Sequence, residues 1–203
     1  MNTINQITPI MKIFTAKTFS LSPFGKITTK TIEEHMKLYH GYVKNTNLIL
    51  EKVAELRSDP EKNTYTIGEI NRRFGFEFNG MRNHEVYFNS LEGGSRTLSE
   101  KSQLITMISE TWGSFDAWLI EFKTIALTRG IGWAMLYYDR NDKRLLNAWV
   151  DEQHIGQLQD CALILGLDMW EHSFVADYEP SGKKSYIDDF FANINWENIA
   201  NAI

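Results

Sequence analysis

The hydrophobic pattern changes once along the chain, and this change constrains its fold class. Apolar residues first recur at helical spacing, over residues 28–56 and again over about 67–91. Thr28 or Thr29 is a suitable N-cap for the first stretch, and the sequence Ser58-Asp59-Pro60 ends it. The tripeptide at 78–80, Phe-Asn-Gly, is a candidate break in the second stretch. We therefore predict that two long helices begin the chain.

Shorter elements follow. Residues 99–108 and 114–128 have helical spacing, with Ser114 as a candidate N-cap. The runs GWAMLYYD (132–139) and RLLNAWVDE (144–152) are separated by a turn signal and predict a β-hairpin, and ALILGLD (162–168) predicts a third strand. Helical patterns return in YIDDFFANI (186–194) and WENIANAI (196–203). Helices, then strands, then helices predict an α+β fold.

Composition excludes several classes of protein. The 203 residues carry a formal net charge of -5, which gives no electrostatic support for binding nucleic acid. No apolar run has the length of a membrane span, and the N-terminus lacks the apolar core of a signal peptide, so we expect a cytoplasmic protein. The single cysteine, Cys161, excludes an internal disulfide framework and a cysteine-based zinc site.

Histidines and one aspartate are the candidate metal ligands. Asp168 and His172 lie four positions apart after the apolar run of the third predicted strand, His35 lies on an apolar helix face, and His84 lies in the second helix. Imidazole and carboxylate ligands together suit iron, manganese or zinc. A histidine on an apolar face is, however, more often a core residue than a ligand. Spacing alone selects neither the histidines nor the metal.

The pentapeptide DMWEH (168–172) resembles the D-x-W-E-H signature of the iron/manganese superoxide dismutases. Other segments that resemble this family occur in the family's order: TIEEHMKLYHGYVKNTN (31–47), NHEVYFNSL (83–91), WGSFDAWLIEF (112–122), GIGWAML (130–136) and NINWENIA (193–200). The resemblance covers roughly residues 19–203. Residues 1–18 lie outside it.

The resemblance implies a fold, an activity and a ligand set. It implies an N-terminal helical hairpin, residues 1–93, followed by an α/β domain with a three-stranded antiparallel sheet, residues 94–203. The implied activity is the disproportionation of superoxide to dioxygen and hydrogen peroxide at one manganese or iron ion per subunit. The implied metal ligands are His35, His84, Asp168 and His172.

The resemblance also assigns residues around the metal. It implies that Tyr42 is the active-site tyrosine and that a glutamine or histidine bonds the metal-bound solvent. Gly80 occupies one of the family's two places for that residue and has no side chain, so Gln153 or His154 must supply it. This arrangement favours manganese over iron. The remaining implied neighbours are two tryptophans that wall the pocket and an asparagine that fixes nearby hydrogen bonds: Trp133, Trp170 and Asn83.

Two features concern the interface and the outer hydrogen-bond network. In the family, the glutamate matching Glu171 reaches a ligand histidine of the partner, which implies a homodimer. Tyr39 and Val175 replace a histidine and a tyrosine that normally bond each other. This departure keeps open a non-catalytic metal-binding protein with the same fold. A zinc hydrolase would need a general base, for which Glu171 is the only local candidate.

Overall fold

A computed structural model describes residues 12–203, in which two long helices form a hairpin. Helix α1 is Thr29–Leu56 and helix α2 is Thr64–Leu91. The Thr28 side chain accepts a hydrogen bond from the Thr31 backbone amide, so Thr28, one of the two predicted candidates, is the N-cap. The first helix buries the i, i+4 row that runs through His35, Tyr39 and Val43. Leu38 lies beside this row and is 41% exposed.

The second helix is longer and more regular than predicted. It begins at Thr64 rather than near residue 67, and the predicted break at 78–80 is wrong. The Asn79 side chain donates to the Gly75 carbonyl in the preceding turn, at 2.8 Å. Gly80 faces Tyr42 of α1, and this close packing between helices outweighs the low helix propensity of glycine.

A three-stranded antiparallel sheet follows, as expected. Its strands are β1 (Gly132–Asp139), β2 (Arg144–Asp151) and β3 (Cys161–Asp168), in the order β2-β1-β3. Trp133, at the start of the central strand, pairs with Asp168 at the end of β3 and with Val150 near the end of β2. This register places the start of β1 and the ends of its two neighbours at one edge of the sheet.

Within residues 12–203, five shorter α-helices follow the hairpin: α3 (Gln103–Trp112), α4 (Phe115–Ala126), α5 (Val175–Tyr178), α6 (Lys183–Asn193) and α7 (Trp196–Ala200). The predicted start of α3 at residue 99 is wrong because Ser102, not Ser99, accepts the capping hydrogen bond. Gly113 ends this helix with φ of 81°, a conformation that glycine adopts without strain. Ser114 caps α4, as predicted.

The helices cover the sheet and enclose an aromatic core. Helix α2 packs against β3, and α4 packs against β1. The largest fully buried side chains include Trp118, Trp133, Tyr39, Tyr137 and Tyr186. The α+β fold, with a helical hairpin before a three-stranded antiparallel sheet, is therefore confirmed. Within residues 12–203, every helix is too short or too polar to cross a membrane.

Candidate metal centre

Four buried or partly buried side chains from separate elements converge between the hairpin and the sheet. His35 comes from α1, His84 from α2, Asp168 from the end of β3, and His172 from a 3₁₀ turn at Glu171–Ser173. Their candidate ligand atoms all lie within 4.8 Å of one another. Asp168 Oδ2 is 3.1 Å from Nε2 of His35, 3.1 Å from Nε2 of His172 and 3.6 Å from Nε2 of His84.

A short 3₁₀ helix, rather than an α-helix, presents His172 beside Asp168. The Trp170 backbone amide donates to Asp168 Oδ1 at 2.8 Å, which fixes the orientation of the carboxylate. The Ser173 hydroxyl donates to the Asp168 carbonyl at 3.0 Å and closes the turn. Asp168 Oδ2 is thereby left to face the imidazoles.

The tautomer of His84 follows from its hydrogen bond. Its Nδ1 lies 2.6 Å from the Gly80 carbonyl, which can only accept, so Nδ1 carries the proton. The lone pair of Nε2 therefore points into the cluster. Nε2 is buried and finds no hydrogen-bond partner among residues 12–203, which is costly for a polar atom. A metal ion would satisfy it, and three imidazoles with one carboxylate suit iron, manganese or zinc.

The charge states at neutral pH also favour metal binding. Burial, and then the neighbouring His35, lower the pKa of His84 to about 3. Burial likewise lowers the pKa of His35. Burial alone would raise the pKa of Asp168, but His172 and His35 outweigh it and hold the pKa below its usual range. An ionised carboxylate beside unprotonated imidazoles is the form that binds a metal.

A chain of hydrogen bonds connects the sheet edge to α1 beside this cluster. The Trp133 indole donates to Gln153 Oε1 at 3.0 Å, and Gln153 Nε2 donates to the Tyr42 hydroxyl at 3.0 Å. The rings of Trp133 and Tyr42 lie 5.1 Å and 5.0 Å from the His84 ring. Because the indole can only donate, it fixes which end of the Gln153 amide faces Tyr42.

Tyr42 occupies space that only a glycine at position 80 leaves free. A Cβ atom built on Gly80 would lie 2.5 Å from a carbon of the Tyr42 ring, far inside van der Waals contact. Any side chain at this position would therefore displace Tyr42. Gly80 thus has two roles, because its carbonyl also orients His84.

The other predicted site residues lie around this centre in different ways. Asn83 donates to the Gln153 carbonyl at 2.8 Å, and the Trp170 ring stacks on His172 at 5.8 Å. The His154 ring packs instead against Phe76, at 5.9 Å, and its buried Nδ1 has no hydrogen-bond partner within the described residues. Glu171 is exposed.

A buried carboxylate next to His84 was not predicted from the sequence. Glu85 is 6% exposed and accepts from the Tyr39 hydroxyl at 3.2 Å. Lys17 and Arg82 form ion pairs with it at 3.0 and 2.8 Å. The one available signal was an acidic residue in an otherwise apolar segment. Two of its partners, Tyr39 on α1 and Lys17, are far from it in the sequence, so no local pattern indicates these contacts.

Comparisons with known proteins agree with this geometry. The alpha-hairpin domain of the iron/manganese superoxide dismutases matches residues 19–92, and the C-terminal domain of the same family matches residues 100–202. The chain belongs to the iron/manganese superoxide dismutase family. It is 37% identical to a "Superoxide dismutase [Fe]" of Cupriavidus metallidurans over 164 residues, 80% of each chain.

Relatives named for the other metal are also similar. A "Superoxide dismutase [Mn] 2" of Haloferax volcanii is 32% identical over 177 residues, which are 86% of this chain and 85% of the relative. A "Superoxide dismutase [Fe]" of Pyrobaculum aerophilum is 27% identical over 170 residues, 81% and 78% of the two chains. The family therefore limits the metal to iron or manganese without choosing between them.

The lowered pKa of His84 predicts how the stability of the metal-free protein, prepared with a chelator, changes with pH. Unfolded His84 takes up a proton near pH 6.5, whereas folded His84 does so only near 3. Its contribution to stability is therefore complete above pH 6.5 and is lost as the pH falls towards 3. We expect the urea midpoint to fall over this range, and to fall less in His84→Gln. An equal fall of the urea midpoint with pH in the wild type and in His84→Gln would contradict this account.

Proposed function

We propose that the protein is a superoxide dismutase, which converts two superoxide ions and two protons to dioxygen and hydrogen peroxide at a mononuclear manganese or iron site. The observation that carries this proposal is the convergence of three imidazoles on the buried Asp168 carboxylate, with His84 Nε2 left without a protein partner. His35, His84, Asp168 and His172 would hold the metal. When bound, manganese or iron supplies the one-electron redox couple that the reaction needs.

Tyr42 is well placed to hold a proton for the reductive half of the reaction. Burial, and then the Asp168 carboxylate, raise the pKa of its phenol, so it stays protonated at neutral pH. Its oxygen accepts a hydrogen bond from Gln153, which directs the phenolic proton elsewhere. Gln153 uses one amide N–H for this bond and retains a second for solvent at the site.

We further propose manganese as the preferred metal. The support is the resemblance together with one contact: Gly80 has no side chain, and the amide beside Tyr42 belongs to Gln153, which follows β2. We also propose that the chain divides into domains at residue 93. Gly93 follows the last residue of the hairpin match, at φ of 76°.

Metal analysis and activity assays test the function directly. Protein loaded separately with manganese and with iron should disproportionate superoxide with at least one of them. Replacing His84 or Asp168 with alanine should lower metal affinity about 100-fold or more, because each change removes a ligand of a four-residue site. Elemental analysis after dialysis measures the loss.

The matched control is His40→Ala, which removes an exposed histidine from α1 and should leave metal content unchanged. Full metal occupancy in His84→Ala or Asp168→Ala would refute the ligand assignment. Full occupancy of the unaltered protein without superoxide turnover would instead indicate a non-catalytic metal-binding protein, the reading that Tyr39 and Val175 left open.

The turnover of two alanine variants distinguishes the two candidates for the solvent-bonding residue, Gln153 and His154. Gln153→Ala removes the partner of both Tyr42 and Trp133, so we expect turnover to fall about 10- to 100-fold with metal retained. His154→Ala removes a ring that packs on Phe76 and should change turnover little. Pulse radiolysis of both metal-loaded proteins measures the rates. The opposite ranking would assign the role to His154.

We propose a homodimer in which Glu171 reaches the partner's metal site. Glu171 is exposed beside His172, whose side chain is still 23% exposed. An exposed carboxylate beside a partly open imidazole is placed to form a charge-assisted hydrogen bond with a partner subunit.

Removing the Glu171 charge should weaken this dimer. We expect Glu171→Gln to raise the dimer dissociation constant about tenfold or more, or to release metal faster, because a charge-assisted hydrogen bond becomes a neutral one. Analytical ultracentrifugation at low protein concentration measures the first effect. The exposed Glu110 on α3 provides the control, Glu110→Gln. An unchanged dimer with unchanged metal content would exclude the bridging role.

A further inference from the structure

The chain that carries Gln153 has left the sheet before it reaches the metal centre. Strand β2 ends at Asp151, and Glu152 adopts a φ of 50°, in the left-handed region that non-glycine residues rarely enter. Gln153 is nevertheless fully buried. Its position therefore depends on contacts other than the strand ladder.

A ring of three hydrogen bonds holds the backbone of Gln153. Its carbonyl accepts from Asn83 Nδ2 at 2.8 Å and from Gln157 Nε2 at 3.2 Å. Gln157 Nε2 also donates to Asn83 Oδ1, at 3.0 Å. Both N–H groups of the Gln157 amide are thus used, and the ring closes between the turn and α2.

We infer that Gln157 is a positioning residue for the dismutase reaction, which sets the Gln153 amide against Tyr42 through the Gln153 carbonyl and Asn83. This inference rests on the proposed function. Within residues 12–203, Gln157 forms no hydrogen bond with the candidate ligands or with Tyr42. A Gln157 N–H donates to Asn83 Oδ1, so the other end of the Asn83 amide, its NH₂ group, faces the Gln153 carbonyl.

The connection to the metal centre is short. Asn83 directly precedes His84, so the ring joins a ligand-bearing turn of α2 to the turn that carries Gln153. The Gln153 side chain bonds Tyr42 and Trp133. A shift of its backbone would change the 3.0 Å bond to Tyr42, and such outer hydrogen bonds tune the properties of a bound metal.

Solvent lies on the opposite side of the ring. Gln157 and Asn83 line an open cavity of about 740 Å³, which Lys17 and Arg82 also border. Gln157 therefore separates this cavity from the buried Gln153. A small residue at position 157 would admit water, which could replace the lost donor. The informative variant must keep the volume of glutamine and remove its N–H groups.

Gln157→Met meets this requirement, and Gln157→Lys returns a donor at similar length. The matched control is Gln159→Met, at an exposed glutamine two residues further on. All variants are purified loaded with metal, and metal content and melting temperature are measured first. The decisive measurements are the midpoint reduction potential of the metal and the rate of superoxide disproportionation.

We expect Gln157→Met to keep its metal, to shift the midpoint potential and to lower turnover about tenfold. Gln157→Lys should return both quantities towards the wild type, and Gln159→Met should change neither. A purely structural role would lower the melting temperature and leave the potential unchanged. Wild-type potential and turnover in Gln157→Met, or equal effects of Gln159→Met, would overturn the inference.

This experiment separates the inference from the proposed function. Metal-loaded wild-type protein without superoxide turnover would refute the proposed function. The potential of Gln157→Met would still show whether Gln157 acts on the centre, because it is measured without turnover.

Discussion

The buried carboxylate of Asp168 is the interaction on which the arrangement of the fold depends. A desolvated charge is costly unless neighbouring groups compensate it. Here compensation comes from His35 and His172 at 3.1 Å and from the Trp170 amide at 2.8 Å. These partners belong to α1 and to the turn after β3. The sheet edge can bury this charge only where the helical hairpin meets it, so one group fixes how the two parts pack.

One turn of α2 then determines much of the geometry around that charge. Gly80 orients His84 through its carbonyl and makes room for Tyr42 by lacking a side chain. Asn83, in the same turn, holds the Gln153 carbonyl. The orientation of His84 and the positions of Tyr42 and Gln153 are therefore coupled through a single uninterrupted stretch of helix. This coupling explains why a glycine is tolerated in the middle of a 28-residue helix.

Sequence reasoning succeeded where local pattern carries the information. Helical spacing and the Thr28 and Ser114 caps located α1 and α4, and the family resemblance selected four residues that the fold does bring together. It failed where two residues carry the same local signal. Ser99 and Ser102 are both suitable N-caps, and only the fold shows that Ser102 caps α3. It also missed Gln157, because a glutamine in a loop has no periodicity. Its partner Asn83 is 74 positions away, and only the folded chain shows the pair.

Tyr39 shows how a substitution in the outer network is accommodated. The resemblance leads us to expect a histidine there, bonded to a tyrosine where Val175 stands. The Tyr39 hydroxyl instead accepts from the Lys17 amide and donates to Glu85. A phenol reaches further than an imidazole. The hydrogen bonds at position 39 therefore go to α2 and to the segment before residue 19, and not to the turn that carries residues 168–172. Glu85, the residue after His84, thus becomes the acceptor for the Tyr39 hydroxyl. This buried hydrogen bond joins α1 to α2, and Lys17 and Arg82 balance the charge of Glu85.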